Sequence, residues 1–144
     1  MGVYDNCIIL IPALQPDERM IQLIHGLHNL GFNKIAITDD GSGEDRQQYF
    51  QEAKSMGAWV MHHSKKMGKG VALRSALRLA DEKIGESNFY ITADCDGQYS
   101  PEDIEKVAKE LLMHPECFVL GVRTYERKKG KKVRFWMNSC QKLF

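Results

Sequence analysis

The sequence lacks the features that mark membrane-spanning, secreted or nucleic-acid-binding chains. No apolar run approaches the roughly 18–20 residues that a membrane-spanning helix needs. The chain starts without a basic segment ahead of its short apolar run, so no secretory signal peptide is expected. The net charge of +1 provides no strong overall field to attract nucleic acid. These absences favour a soluble cytoplasmic protein.

Cysteine is scarce, and its spacing is typical of neither a zinc site nor a disulfide framework, both of which use recurrent short spacings. The four cysteines are scattered along the chain, at Cys7, Cys95, Cys117 and Cys140. The pattern predicts small, mostly buried thiols in a reducing compartment.

His25 and His28 are three residues apart, but a metal site needs three or four ligands, so they are expected at the surface.

The sequence does contain a regular alternation of apolar runs and amphipathic stretches. The apolar runs, which predict strands, cover residues 7–12, 34–38, 58–61, 89–93 and 118–122. The amphipathic stretches, which predict helices, cover residues 16–30, 44–56 and 69–84, a segment that begins at Ser100–Pro101, and residues 133–144. Strands that alternate with helices predict one α/β domain with a mostly parallel, twisted sheet and helices on both faces.

Four of the predicted strands end in structure-breaking or charged residues, at the edge where open α/β sheets bind ligands. These residues are Pro12–Ala13, Asp39–Asp40–Gly41–Ser42, Asp94–Cys95–Asp96–Gly97–Gln98 and Gly121–Val122–Arg123. Because the carboxyl ends of parallel strands share one edge of the sheet, the four groups are expected to converge there. Residues 62–63, two histidines after the third strand, are expected in a loop at the rim of the same pocket.

Asp94 and Asp96 are the candidate metal ligands. Residues two apart on an extended chain point the same way, and two carboxylates so placed repel each other unless a cation lies between them. Oxygen ligands suit Mg²⁺ or Mn²⁺, and Gln98 could add a neutral oxygen. Taken alone, the same residues are also typical of a solvated turn that closes a strand.

Two further groups are candidates for binding the rest of a ligand. Asp39 and Asp40 directly follow a buried strand, and either carboxylate could accept a base N–H or a ribose hydroxyl, or could cap the next helix. Gly68–Lys69–Gly70 opens a predicted helix, where backbone N–H groups beside a lysine suit an anion. The spacing of a P-loop is absent.

In combination, these motifs resemble the inverting family 2 glycosyltransferases of the GT-A fold, and most of all the polyprenyl- or dolichol-phosphate sugar transferases. The matching motifs are Ile11–Pro12–Ala13, Asp39–Asp40–Gly41–Ser42, Gly68–Lys69–Gly70–Val71–Ala72–Leu73, Asp94–Cys95–Asp96–Gly97–Gln98 with Pro101–Glu102–Asp103, and Gly121–Val122–Arg123. Their order and spacing agree from residue 7 to about residue 140. Each motif is weak alone, but five in the same order are specific.

The resemblance implies a Rossmann-like GT-A domain that transfers a sugar from a UDP- or GDP-sugar to an acceptor, such as a polyprenyl phosphate. The residues implied to bind the nucleotide sugar are Pro12, Ala13, Asp39, Asp40, Lys69, Asp94, Arg123 and Arg134. Those implied to hold Mg²⁺ or Mn²⁺ are Asp94, Asp96 and Gln98. The basic stretch 127–134 is implied to lie near donor or lipid phosphates and could touch an anionic membrane surface.

The sequence departs from the family pattern at several positions. Pro16 stands where a glutamate would contact the base, and Lys66 replaces the usual asparagine. The family's chains normally continue further and supply the acceptor site and the general base. The resemblance therefore implies that residues 1–144 form a single nucleotide-sugar-binding domain that lacks most of the acceptor half, with no identifiable base. Phe135 and Trp136 could form an apolar face that favours homo-oligomers.

Three alternative interpretations remain open at this point. A haloacid-dehalogenase-like phosphatase shares the D-x-D-G pattern, but there it normally closes the first strand, and Gln98 replaces the usual threonine. A receiver-like domain carries paired acids after its first strand, whereas Asp39 and Asp40 follow the second. The third alternative is a non-catalytic nucleotide-sugar-binding module or an inactive fragment, since a fold alone does not establish activity.

Overall fold

A computed structural model of the protein describes residues 2–85, 89–119 and 121. Its strands are β1 (Cys7–Ala13), β2 (Lys34–Asp39), β3 (Trp59–His62) and β4 (Phe89–Thr92). Its helices are α1 (Glu18–Asn29), α2 (Gln47–Ser55), α3 (Lys69–Ile84) and α4 (Pro101–Met113), and a short 3₁₀ turn, Glu44–Arg46, precedes α2. In this part of the chain, strands and helices therefore alternate as predicted.

The four strands form one parallel sheet in the order β3-β2-β1-β4. The central strand β1 pairs on one side with β2, where Ile9 lies opposite Ile35, and on the other with β4, where Cys7 lies opposite Phe89. The chain builds the sheet outward from β1 to β3 and then returns to place β4 on the opposite side of β1. This reversal of strand order opens a crevice between the carboxyl ends of β1 and β4.

The side chains of β1 alternate between two hydrophobic cores, one on each face of the sheet. Ile9 and Ile11 belong to the core formed with α1, α2 and α4, whereas Ile8 and Leu10 belong to the core formed with α3. Strand β1 is almost entirely buried, which explains its continuous apolar run. The prediction of helices on both faces of a parallel sheet is confirmed.

The starts of α1 and α4 are both capped by side chains in the structure. Asp17 accepts a hydrogen bond from the backbone N–H of Arg19 and precedes α1, so the helix begins slightly later than the predicted start at Pro16. Ser100 accepts from the backbone N–H of Asp103, and Pro101 is the first residue of α4, as predicted.

Near the end of the sequence, the structure differs from the prediction at the residues it describes, and most of the remaining residues lie outside the described ranges. Phe118, Val119 and Gly121 are not in a strand, although a fifth strand was predicted over residues 118–122. The other residues of that strand and the helix predicted over residues 133–144 lie outside the described residues. Arg123, Arg134 and the basic stretch 127–134 lie outside them as well.

The described cysteines divide into two groups. Cys7 is fully buried and Cys95 is partly buried, and both are free thiols, as predicted. Cys117 is disulfide-bonded, so the prediction of a reduced thiol is wrong at this position.

No helix within the described ranges is both long and apolar enough to cross a lipid bilayer.

Candidate active site at the carboxyl ends of the strands

Asp39, the last residue of β2, is a buried carboxylate held by three groups of the protein. It accepts hydrogen bonds from the backbone N–H of Ser42 (2.8 Å), the side-chain amide of Gln47 (3.0 Å) and Nδ1 of His62 (2.8 Å). Burial favours the neutral acid and raises the pKa of Asp39, but these hydrogen bonds outweigh burial, so the pKa lies below its usual value. Asp39 is therefore held as an anion that fixes the turn after β2.

Asp40 is equally buried but is held by a different loop. Its carboxylate accepts hydrogen bonds from Nδ1 of His63 (2.8 Å) and from the backbone N–H groups of Met67 (2.8 Å) and Gly68 (2.9 Å). Burial raises the pKa of Asp40, and these three donors together lower it below its usual value. Asp40 thus ties the end of β2 to the loop that leads into α3.

Gly41 allows the loop before α3 to pack closely against the residues that follow β2. Its φ of +82° is in the left-handed region, and a Cβ placed there would lie 2.5 Å from the backbone of Lys65 and Lys66. Such a distance is impossible for a real side chain, so only glycine fits between β2 and the loop. The Asp39–Ser42 motif therefore contains two buried acids and one glycine whose position is set by close packing of the backbone.

The second pair of acids, Asp94 and Asp96, follows β4 and is partly exposed. Asp94 forms an ion pair with Lys69, whose Nζ lies 2.7 Å from Asp94 Oδ1. This hydrogen bond raises the pKa of Lys69, the first residue of α3. Asp96 accepts hydrogen bonds from the backbone N–H of Gln98 (3.1 Å) and from its side-chain amide. The contacts of these carboxylates thus involve exposed side chains.

The ends of β1, β2 and β4, the loop before α3 and the start of α3 line a cavity of about 430 Å³. The residues that line it are Pro12, Ala13, Leu14, Asp40, Lys66, Lys69, Ala72, Asp94, Cys95 and Asp96. The cavity lies at the crevice between β1 and β4, where the reversal of strand order predicts a ligand site. Three carboxylates and two lysines therefore meet at one concave surface.

Most of the candidate residues that the structure describes come together in this cavity. Pro12, Ala13, Asp40, Lys69, Asp94 and Asp96 all line it. Asp39 and Gln98 do not: Asp39 lies beneath the turn after β2, and Gln98 lies beside Asp96. Arg123 and Arg134 lie outside the described residues.

Three features of the site were not predicted from the sequence. The sequence marks Lys66 only as a replacement for asparagine, yet its position in the lining adds a second positive charge. His63 was expected in a loop at the rim of the pocket, but its side chain is only 8% exposed and lies behind Asp40. His62 is the last residue of β3 rather than a loop residue, and it contacts Asp39.

A second cavity, of about 300 Å³, lies on the other side of the Asp94–Gln98 loop. It is lined by Arg19, Gln22, Leu23, Gly97, Tyr99 and Pro101. Its cationic group, Arg19, is already paired with Asp17 at 2.7 Å. The cavity at the strand ends carries more charged groups and is the stronger candidate for a charged ligand.

No group of three or more His, Cys, Asp or Glu side chains within the described residues is arranged to hold a metal ion. A cation held by Asp94 and Asp96 could complete its coordination with water or with a bound molecule. Mg²⁺ commonly binds in this way, through one or two carboxylates and substrate phosphates.

An all-parallel sheet with helices on both faces and a charged cavity at the reversal of strand order defines a Rossmann-like ligand-binding domain. Comparison with known families makes the class specific: the model of glycosyl transferase family 2 matches residues 8–141. The chain belongs to this family. The resemblance inferred from the motifs is confirmed, as is the Rossmann-like GT-A fold, and the phosphatase-like and receiver-like alternatives are excluded.

Three relatives illustrate where the similarity lies. A UDP-N-acetylglucosamine–dolichyl-phosphate N-acetylglucosaminyltransferase of Methanococcus voltae is 25% identical in an alignment that covers 87% of this chain and 55% of that protein. Two uncharacterised proteins of Methanocaldococcus jannaschii are 28% and 26% identical, over 90% and 83% of this chain and 51% and 52% of their own lengths. The chain spans about half the length of the curated relatives it matches.

Proposed function

We propose that this chain binds a nucleoside-diphosphate sugar in the cavity at the strand ends and transfers the sugar to an acceptor with the help of a divalent cation. The observation that carries the proposal is the convergence of Asp94, Asp96, Lys66 and Lys69 on one cavity beside Asp40. A diphosphate needs cationic groups, and a cation bound to it needs oxygen ligands. Membership of glycosyl transferase family 2 supports the reaction class.

In this proposal, Asp40 and the end of β1 bind the nucleoside. Pro12 and Ala13 line the cavity next to Asp40, whose backbone N–H donates to the carbonyl of Ala13 (2.8 Å). A carboxylate can accept about four hydrogen bonds, and Asp40 accepts three from the protein. One position is left for a ribose hydroxyl or a base N–H. Asp39 would contribute indirectly, because it stabilises the turn that carries Asp40.

The two lysines are proposed to bind the diphosphate. Lys69 Nζ carries three N–H donors, so it can keep its contact with Asp94 and still donate to a phosphate oxygen. Lys66 lies in the same lining and adds a second ammonium. By family resemblance, Arg123 and Arg134 would add further phosphate contacts.

The carboxylates at the end of β4 fit Mg²⁺ or Mn²⁺ by the chemistry of their donor atoms. Asp94 and Asp96 are oxygen ligands that line the same cavity, and substrate phosphates would complete the coordination. Asp96 can take up a cation without displacing Lys69. Gln98 would have to turn its side-chain oxygen toward the cation, because its amide N–H now faces Asp96. A bound cation would offset the charge that develops on the departing diphosphate.

The donor and acceptor are proposed from the named relative. The M. voltae protein is named for a UDP-sugar donor and a dolichyl-phosphate acceptor. By this similarity, we expect a UDP-sugar to bind more tightly than a GDP-sugar and a polyprenyl phosphate to accept the sugar, with inversion at the anomeric carbon. Donor binding without transfer would instead favour a nucleotide-sugar-binding module.

Calorimetry tests the donor site directly. The native chain is titrated with UDP-N-acetylglucosamine and GDP-mannose, with and without Mn²⁺, beside the Asp96→Asn variant. Asp103→Asn is the matched control, because Asp103 is an exposed acid on α4 that does not line the cavity. Loss of a group that merely orients a metal ligand costs roughly tenfold to hundredfold in affinity, so Asp96→Asn should cost at least that much in Mn²⁺.

Two results would contradict the proposal. One is the absence of binding of either donor at millimolar concentration, with or without Mn²⁺. The other is equal binding by Asp96→Asn, Asp103→Asn and the native chain in Mn²⁺. If the donor binds, release of UDP in the presence of a polyprenyl phosphate in detergent then separates a transferase from a binding module.

A further inference from the structure

The buried side chain of His63 occupies an unusual position between the sheet and α3. Its backbone N–H donates to the carbonyl of Asp39 (2.8 Å), which continues the pairing of β3 with β2. Its ring nitrogens both have partners: Nδ1 lies 2.8 Å from Asp40 Oδ1, and Nε2 lies 2.8 Å from Ser75 Oγ on α3. An ionised carboxylate only accepts hydrogen bonds, so Nδ1 must carry the proton that is donated to Asp40.

The contact with Asp40 connects His63 to both halves of the cavity. Asp40 also accepts from the backbone N–H groups of Met67 and Gly68, and Gly68 is the residue directly before α3. The next residue, Lys69, forms the ion pair with Asp94 at the end of β4. A continuous series of bonds therefore leads from His63 through Asp40 and the start of α3 to Asp94 after β4.

His62 provides a natural contrast, because it is the same residue type at the adjacent position. It pairs with Asp39 at the same distance of 2.8 Å, but its side chain is 36% exposed and its other nitrogen lies near Lys54. Asp39 does not line the cavity, and its carboxylate accepts hydrogen bonds from Ser42, Gln47 and His62 rather than from the Met67 and Gly68 backbone. Of these two histidine–aspartate pairs, His63–Asp40 is thus the one whose carboxylate lines the cavity.

We infer that His63 is a positioning residue for the donor site: it fixes the Asp40 carboxylate, and through it the Met67 and Gly68 backbone and Lys69. Its expected consequence for donor affinity rests on the proposed function. His63 lies outside the cavity lining, so it acts through Asp40 and not by contact with the ligand. Without donation from His63, Asp40 keeps two backbone donors but loses the one side chain that restrains its rotation.

Two substitutions whose side chains share the same number and branching of heavy atoms isolate this role. His63→Leu removes both polar atoms, whereas His63→Asn places an amide N–H near the former Nδ1 and can still donate to Asp40. His62→Leu is the control. Amide hydrogen exchange is measured at Met67 and Gly68 relative to Ile9 and Ile37 in the sheet, and affinity for UDP-N-acetylglucosamine is measured in Mn²⁺.

We expect the increase in amide exchange to be confined to the loop before α3. In His63→Leu, exchange at Met67 and Gly68 rises about tenfold relative to the sheet, and donor affinity falls about tenfold, the factor that corresponds to one hydrogen bond of ordinary strength. His63→Asn should stay within about threefold of the native chain in both measurements, and so should His62→Leu. If His63→Leu does not fold, His63→Gln replaces it, because its amide reaches the Nε2 position and not Asp40.

Several outcomes would overturn the inference. Equal effects of the leucine and asparagine variants would show that hydrogen bonding to Asp40 is irrelevant. Faster exchange throughout the sheet, with no excess at Met67 and Gly68, would reduce His63 to general packing. Unchanged donor affinity in His63→Leu would overturn its role in the site and leave the proposed function intact. If the native chain binds no donor, the proposed function fails, and amide exchange alone decides whether His63 positions the loop.

Discussion

The two pairs of acids at the strand ends, Asp39–Asp40 after β2 and Asp94–Asp96 after β4, are built in opposite ways. Asp39 and Asp40 are 2% and 3% exposed, and each accepts three hydrogen bonds from donors of the protein. Asp94 and Asp96 are partly exposed, and their contacts are an ion pair with exposed Lys69 and hydrogen bonds from neighbouring Gln98.

The difference shows how one residue type serves two purposes at one edge of a sheet. A buried carboxylate is costly unless the protein supplies its partners, so the acids after β2 hold backbone turns in place. A partly exposed carboxylate keeps water as an alternative partner and can exchange it for a ligand. The first pair is expected to determine the shape of the cavity, and the second to determine what binds in it.

The largest expected effect is on stability, at Asp40. Asp40→Ala leaves the N–H groups of Met67 and Gly68 and the ring of His63 without their acceptor, and breaking such a buried polar network costs about 3 kcal/mol. Asp96→Ala should cost less than about 1 kcal/mol, because its carboxylate is partly exposed. Urea unfolding of both variants at pH 7 measures the two values. Equal losses would remove the distinction between the pairs.

Acid should weaken the fold through the same buried pair. The pKa values of Asp39 and Asp40 lie below the ordinary value of about 3.9, so their ionised forms stabilise the protein above that pH. This contribution is lost as the pH falls through the lower pKa of the folded state. Unfolding free energies between pH 7 and pH 3 should therefore decline below about pH 4.

Asp39→Asn provides the control for the acid experiment. Other acids with lowered pKa values, such as Asp103, contribute to the native curve, so the difference between the two proteins is what matters. The variant should be less stable at neutral pH and should lose less stability in acid than the native chain. Parallel curves for the two proteins would mean that Asp39 contributes nothing to the pH dependence.

A smaller effect, on binding, is expected at Lys69. Lys69→Met keeps most of the length of the side chain but removes the ammonium that pairs with Asp94 and is proposed to contact the diphosphate. Donor affinity should fall about tenfold, whereas stability should change by less than about 1 kcal/mol, because the ion pair is exposed. Calorimetry and urea unfolding separate the two quantities. A large loss of stability with unchanged affinity would assign Lys69 to the fold instead.

The smallest effect is expected at Ser100, which caps α4 after the loop that carries Asp94 and Asp96. Ser100→Ala should lower the free energy of unfolding by about 1 kcal/mol. Donor affinity should not change, because Ser100 does not line the cavity. Ser100→Asp, which retains a capping oxygen, should restore stability. A drop in affinity would show that the loop after β4 depends on the start of α4 for its shape.

Much of the fold could be predicted from the sequence because its strongest signals are local. The run Cys7–Pro12 is continuously apolar, and the structure buries it on both faces of the sheet. Ser100–Pro101 carries its own capping chemistry, so the start of α4 was predicted correctly. The convergence of Asp40, Lys69 and Asp94 could also be predicted, because parallel strands bring their carboxyl ends to one edge.

What could not be predicted depends on contacts between distant segments. Asp39 and Asp40 are adjacent, but neighbours on an extended chain point in different directions, and only the structure shows which one lines the cavity. The burial of His63 depends on Ser75, a partner on another element. The side-chain amide of Gln98 turns toward Asp96, and nothing in the D-x-D-G-Q pattern determines that rotamer.

The position of β1 between β2 and β4 has a consequence for how the protein folds. Residues that pair across β1 and β2 are near one another in sequence, whereas Cys7 pairs with Phe89 only after three helices and two strands have intervened. Contacts between such distant segments form slowly, because the loop between them must be closed first. Asp40 can therefore reach its place early, while Asp94 and Asp96 arrive only with β4. The rate at which donor binding recovers during refolding would then report how fast β4 pairs with β1.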